Sequence, residues 1–150
     1  MFDCCKKINW GKVFLAGLAY TAIAFVLRQL ETMLTMNYYK MPEYFGVWSK
    51  LMMPGAGAPP MSFFAVSLLF SFVTGVVLAA FYDLIKGLLS DGCCRKGLCF
   101  AGIIVCLSLV FFTLPAYLLF NLPCGLLTAW FVSSAAILYF ASLTFARILK

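Results

Sequence analysis

The sequence predicts an all-α integral membrane protein: a four-helix bundle with a short extracytoplasmic amphipathic helix between its first two spans. Three observations carry that expectation. Hydrophobic residues make up 65% of the 150-residue chain and charged residues only 11%, against about 25% charged in typical soluble chains. No charged residue occurs between Gly97 and Ala146. Most Lys and Arg residues gather at the ends of apolar runs, where orientation signals of membrane spans belong. Apolar runs of eighteen residues or more read as transmembrane helices. The chain is expected to form one polytopic domain over 1–150, with spans at about 12–34, 61–84, 98–120 and 123–147 and an interfacial helix at about 43–53.

The first span follows Lys6, Lys7 and Lys12, and its apolar run 13–27 resembles the core of a signal peptide. No small-x-small cleavage pattern follows, because the chain continues Arg28-Gln29-Leu30-Glu31. The segment therefore reads as an uncleaved helix. Steps of three and four place Gly17, Thr21, Ala24, Arg28, Glu31 and Thr35 on one helix face. That face is small at one end and ionic at the other. Membrane helices pack closely through small faces, so both charges are expected to point into protein. At helical rise, Arg28 lies ~22 Å beyond Val13 within a hydrocarbon core about 30 Å thick.

In the connection 36–60, Pro42 suits a first helical position. Tyr44, Val47, Trp48, Leu51 and Met52 share one face, and Glu43, Gly46 and Lys50 another. This predicts a helix lying on the membrane with Trp48 and Tyr44 as anchors; a re-entrant plug is the alternative. The second span offers Ser67, Ser71 and Gly75 for close packing and ends at Asp83 and Lys86. A loop over 87–97 carries Asp91, Cys93, Cys94, Arg95 and Lys96. Pro115 is expected to kink the third span, Asn121-Leu122-Pro123 to form a tight turn, and Ala129, Ser133 and Ala136 to give the fourth span a small face.

Orientation follows from the basic residues. Lys6, Lys7, Lys12, Lys86, Arg95, Lys96, Arg147 and Lys150 fall on one side, and only Lys40 and Lys50 on the other. The positive-inside bias places both termini in the cytoplasm. A faint internal repeat pairs Leu15-Ala16-Gly17-Leu18 with Phe100-Ala101-Gly102-Ile103, but apolar segments resemble one another cheaply, and chance is the preferred explanation.

Several functions are disfavoured at once. The chain has no histidine, which removes Ser-His-Asp and Cys-His catalysis, HExxH zinc sites and imidazole haem ligation. An enzyme is thus the less favoured reading, and no cofactor is implied. The net charge of +6 is not arranged as a basic groove with interleaved aromatics, so nucleic acid is not an expected partner. The lipid bilayer is, together with self-association or a membrane complex.

Arg28 and Glu31 are the first ligand-binding candidates, since a guanidinium within a span can hold a carboxylate, phosphate or lipid headgroup. A structural ion pair anchoring the helix is the plainer reading. Asn121, expected on the same side, could complete a polar mouth; alone it reads as a turn residue. Asp83 with Lys86 forms a second polar spot at the cytoplasmic end, read as a solvated pair in preference to a cation site. Cys4, Cys5, Cys93 and Cys94 could supply four thiolates to a soft metal or accept acyl chains, although reduced thiols without a role are the plainer reading. The aromatics around Trp48 form either an interfacial belt or a lid.

The cysteine doublets resemble those of small mercury-uptake membrane proteins, and the likeness is confined to the doublets. Four spans in 150 residues also resemble the outline of the membrane glutathione-transferase group. Arg28-Gln29-Leu30-Glu31 lacks that group's Arg-x-x-Asn-x-x-Glu spacing, so its activity does not carry over. Three functions are therefore expected, in this order: a non-catalytic homo-oligomer or complex subunit; a binder or translocator of a small anion or lipid headgroup at Arg28 and Glu31; and soft-metal or thiol chemistry at the doublets.

Overall fold

A computed structural model describes residues 8–49, 51–53, 59–89 and 92–150, the Cys93 side chain excepted. Helices account for its regular structure: α1 (Trp10–Tyr39), a 3-10 helix (Pro42–Val47), α2 (Met61–Ile85), α3 (Cys93–Ser108), a π turn (Leu109–Thr113), α4 (Leu114–Leu119) and α5 (Cys124–Ile148). Four helical units, with α3 to α4 counted as one, are long and apolar enough to cross a membrane. At 30 residues, α1 is ~45 Å long and exceeds a typical hydrocarbon core, so it tilts or protrudes.

The helices run antiparallel in sequence order, but their spatial order is α2–α1–α5–α3. Glycines set two of the three contacts. A Cβ on Gly17 would lie 2.6 Å from Val76, and one on Gly75 would lie 2.9 Å from the Gly17 carbonyl and 2.8 Å from Tyr20. The α1 and α2 backbones therefore approach closely at this crossing, as small residues permit. In α3, a Cβ on Gly97 would meet the Ser142 carbonyl of α5 at 2.8 Å. Around these crossings, Val13, Ala16, Ala79, Tyr82, Phe100, Ala141, Phe145 and Leu149 form the main buried cluster. Tyr82 and Phe100 meet edge to face at 5.3 Å and bring α2 to α3. This cluster lies at the end of the bundle where both termini emerge.

The opposite, distal end is held differently. There buried Glu31 and Thr35 of α1 lie beside Ala129 and Ser133 of α5, while α2 presents Met61, Leu69 and Phe70 outward. From the glycine crossing, α1 and α2 diverge and leave a wedge between them.

Two expectations need correction, and the one at Pro115 gains its local geometry. The connection forms no helix over 43–53; a six-residue 3-10 helix ends at Val47 and a turn follows at Ser49–Met53. Pro42 starts it as expected, but too few residues precede the bend for α-helical hydrogen bonds to propagate. Pro115 is accommodated by a π turn: the Leu114 N–H donates to Leu109 O, five residues back. Widening the turn next to Pro115 relieves the clash between its ring and the preceding carbonyls. Finally, Cys93 and Cys94 occupy the first turn of α3 and not a loop.

Alanine at Gly75 should lower the stability of the protein in detergent by about 1–3 kcal/mol through overpacking. The same change at Gly102, where an added Cβ meets nothing within 4 Å, should be neutral or stabilising. Thermal unfolding of the two variants checks the crossing; equal effects would contradict it.

Candidate functional site

The wedge between α1 and α2 is a cavity of about 450 Å³. Arg28, Gln29 and Thr32 from α1 and Ser67 and Ser71 from α2 are its polar lining; Phe25, Phe63, Phe64 and Leu68 are much of its apolar wall. Met52 and Pro59 of the connection cover its distal side. It is thus amphipathic: one cation and a few neutral polar groups facing aromatic and aliphatic surface.

Arg28 is fixed from behind. Its Nη1 donates to Ser133 Oγ at 3.0 Å and its Nη2 to Ser134 Oγ at 2.8 Å, both on α5. Ser133 in turn donates to the Trp130 carbonyl at 3.1 Å, leaving its lone pairs for the guanidinium. Glu31 lies 3.8 Å from Nη1, close enough for charge attraction but beyond hydrogen-bonding distance. Its Oε1 is 2.9 Å from the Thr35 hydroxyl, which also reaches the Glu31 carbonyl at 2.8 Å. A hydroxyl has one proton, so Thr35 serves only one of these acceptors at a time.

The two charges differ in placement. The Glu31 side chain is 7% exposed, whereas that of Arg28 is 45% exposed. The expectation that both would be enclosed therefore holds for Glu31 alone. Of the five N–H donors of a guanidinium, two are engaged by the serines, and the side chain also borders the cavity. On the other flank of α1, Glu31, Thr35 and Ser133 line a smaller groove of about 260 Å³ with Leu27, Leu34 and Ala129. The ion pair separates the two spaces.

Above Arg28 sits an aromatic cluster. Trp130 Nε1 donates to Tyr39 Oη at 2.8 Å. Trp48 packs on Tyr39 at 5.1 Å and on Trp130 at 6.2 Å. Trp48 is thus built into the protein, and among the described residues its buried Nε1–H has no acceptor. Tyr44 is half-buried in the 3-10 helix.

The other candidates are distributed away from this site. Asn121 is exposed ahead of α5 and lines neither space beside Arg28. Ser133 lies ~14 Å down α5 from Cys124, which separates Asn121 from the guanidinium and leaves the polar mouth without it. Asp83 is buried and pairs with Lys86 at 2.8 Å at the termini end. Cys4 and Cys5 and the Cys93 side chain lie outside the described residues. Cys94, Cys99, Cys106 and Cys124 are exposed free thiols, and among the described residues no group of three potential metal ligands assembles. The small residues Gly17 and Ser133, candidates for contacts between copies, are engaged within the chain by Val76 and Arg28. Sequence reasoning missed Ser134, Gln29, Thr32 and Ser67 as members of one site. The i, i+4 and i+11 spacing of Arg28, Thr32 and Tyr39 marks a stripe, but its partner helix was not readable.

A double-mutant cycle on Arg28→Gln and Ser134→Ala should give a coupling of about 0.5–2 kcal/mol, measured by unfolding in mixed micelles. Additive effects would show that the α1–α5 hydrogen bond contributes nothing. No family model matches the chain, nor does any curated protein or solved structure, so function rests on the site itself.

Proposed function

We propose that this multi-pass membrane protein binds a small anion or the anionic headgroup of an amphiphile, without catalysis, in the α1–α2 cavity at Arg28. One observation carries the reading: a guanidinium inside a membrane span borders a cavity of about 450 Å³ with N–H donors that, among the described residues, no further group accepts from. A cation in hydrocarbon is costly unless it is paired or hydrated. Glu31, at 3.8 Å, offsets the charge without engaging the donors. Carboxylate and phosphate oxygens match the planar fork of arginine. The size falls in the range of small-molecule sites, and Phe25, Phe63, Phe64 and Leu68 offer apolar surface to a ligand tail. Divergence of α1 and α2 gives entry from the bilayer.

The site is proposed to lie toward the extracytoplasmic leaflet, with both termini in the cytoplasm. The distribution of Lys and Arg supports that orientation. Assembly into an oligomer or complex remains compatible with this binding role.

Arg28→Gln should abolish binding of oleate measured by native mass spectrometry. Arg28→Lys, which keeps the charge and loses the fork, should weaken it by about tenfold or more. Soluble carboxylate and phosphate without tails form the second arm and separate a free anion from an amphiphile. Unchanged binding in Arg28→Gln would end the reading. The orientation has its own check in intact cells, where a membrane-impermeant maleimide should label Cys124 and leave Cys94 unmodified; the reverse pattern inverts the topology.

A further inference from the structure

A second cavity, of about 310 Å³, lies at the termini end of the bundle and is lined by Lys86, Lys96 and Lys150. Each lysine comes from a different element: the C-cap of α2, the first turn of α3 and the chain just beyond α5. Tyr82, Gly87, Gly92 and Leu149 complete much of the wall. We infer that this cavity is a phosphate-binding site, distinct from the one at Arg28, for the headgroup of an anionic lipid or for free phosphate.

The argument is one of charge and access. Among the described side chains, Asp83 is the carboxylate beside the cavity, and it already pairs with Lys86 at 2.8 Å. Lys86 also donates to the Leu149 carbonyl, so its ammonium is held in place at the cavity wall. Lys96 and Lys150 have no carboxylate partner among the described residues. Counted over the described side chains, the site therefore carries more cations than anions, in a concave space where their mutual repulsion is relieved by an incoming anion. The α3 N-terminus adds to this: among the described residues its first turn has no acidic residue and its N-cap no side-chain hydrogen bond, while Arg95 and Lys96 stand at its positive pole. Glycine at 87 and 92 leaves the rim free of bulk. Positive-inside counting explains why lysines are found at this end. It does not explain why three of them converge on one hollow from three elements. Basic pockets between spans on the cytoplasmic side suit lipid phosphate, and ammonium groups bind phosphate as point charges.

The test uses the full chain in uncharged detergent. Native mass spectrometry should retain phosphatidylglycerol or phosphatidic acid in preference to phosphatidylcholine. Replacing Lys96 and Lys150 together by Gln should weaken that retention by about tenfold or more, with the thermal unfolding temperature unchanged. Arg28→Gln should leave the difference between wild type and the double variant intact, so failure at the α1–α2 cavity does not remove this site. Inorganic phosphate at millimolar concentration forms the other arm: displacement of the lipid by phosphate identifies a free-anion site, and retention against it identifies a headgroup site. Equal retention of anionic and zwitterionic lipid, or anionic retention indifferent to Lys96 and Lys150, overturns the proposal.

Discussion

The close crossing of α1 and α2 at Gly17 and Gly75 constrains everything distal to it. With backbone against side chain at 2.6–2.9 Å from a virtual Cβ, these helices cannot also stay in contact along their full lengths. Beyond this crossing a cavity opens between the two helices. The separation falls on the half of α1 that carries Arg28, Gln29 and Thr32. The cavity is therefore a consequence of where the glycines are, and its polarity a consequence of where the α1 stripe lies.

The second constraint is energetic. Water is absent from the hydrocarbon core, so each polar group there needs a partner within the protein or a guest. Thr21 and Thr35 solve the problem locally by donating to carbonyls one turn back. Arg28 cannot, because its five donors exceed what one helix offers. It reaches across to Ser133 and Ser134 and so ties α1 to α5, with Trp130 and Tyr39 extending the same contact distally. Removing Arg28 would leave Glu31 buried without its counter-charge, which is the costly way to break such a pair. A structural tie and a cavity-lining cation are thus the same side chain, held by the serines behind it.

Span number and class were legible because hydrocarbon imposes one rule on composition: long apolar runs with charges at their ends. The Gly17 face was legible too, since helical periodicity is fixed by the backbone. Neighbour relations were not. Nothing in α1 or α5 alone indicates that Arg28 meets Ser133 and Ser134, or that α1 would lie between α2 and α5 rather than beside α2 alone. The extent of α1 was also underestimated at both ends, as Trp10 and the polar segment at Asn37–Tyr39 continue the helix beyond the apolar stretch. Hydropathy reports where lipid is tolerated, whereas helices stop where hydrogen bonds stop. The connection misled for a related reason: amphipathic spacing across Pro42–Met53 fits a helix, yet Trp48 is drawn off that pattern by packing on Tyr39 and Trp130.

The aromatic cluster is the remaining step. Belt residues face lipid headgroups with their polar tips in water, but Trp48 and Trp130 turn toward each other and toward Tyr39. Tyr39 is shared, since it also lines the α1–α2 cavity. The segment that carries Trp48 continues to Met52, which covers the cavity. Packing of Trp48 on α1 and α5 therefore positions the cover over the guanidinium, and a ligand that enlarges the wedge would have to work against that packing. The same three rings that close the distal end of the α1–α5 interface thus adjoin the cavity wall to which Tyr39 and Met52 contribute.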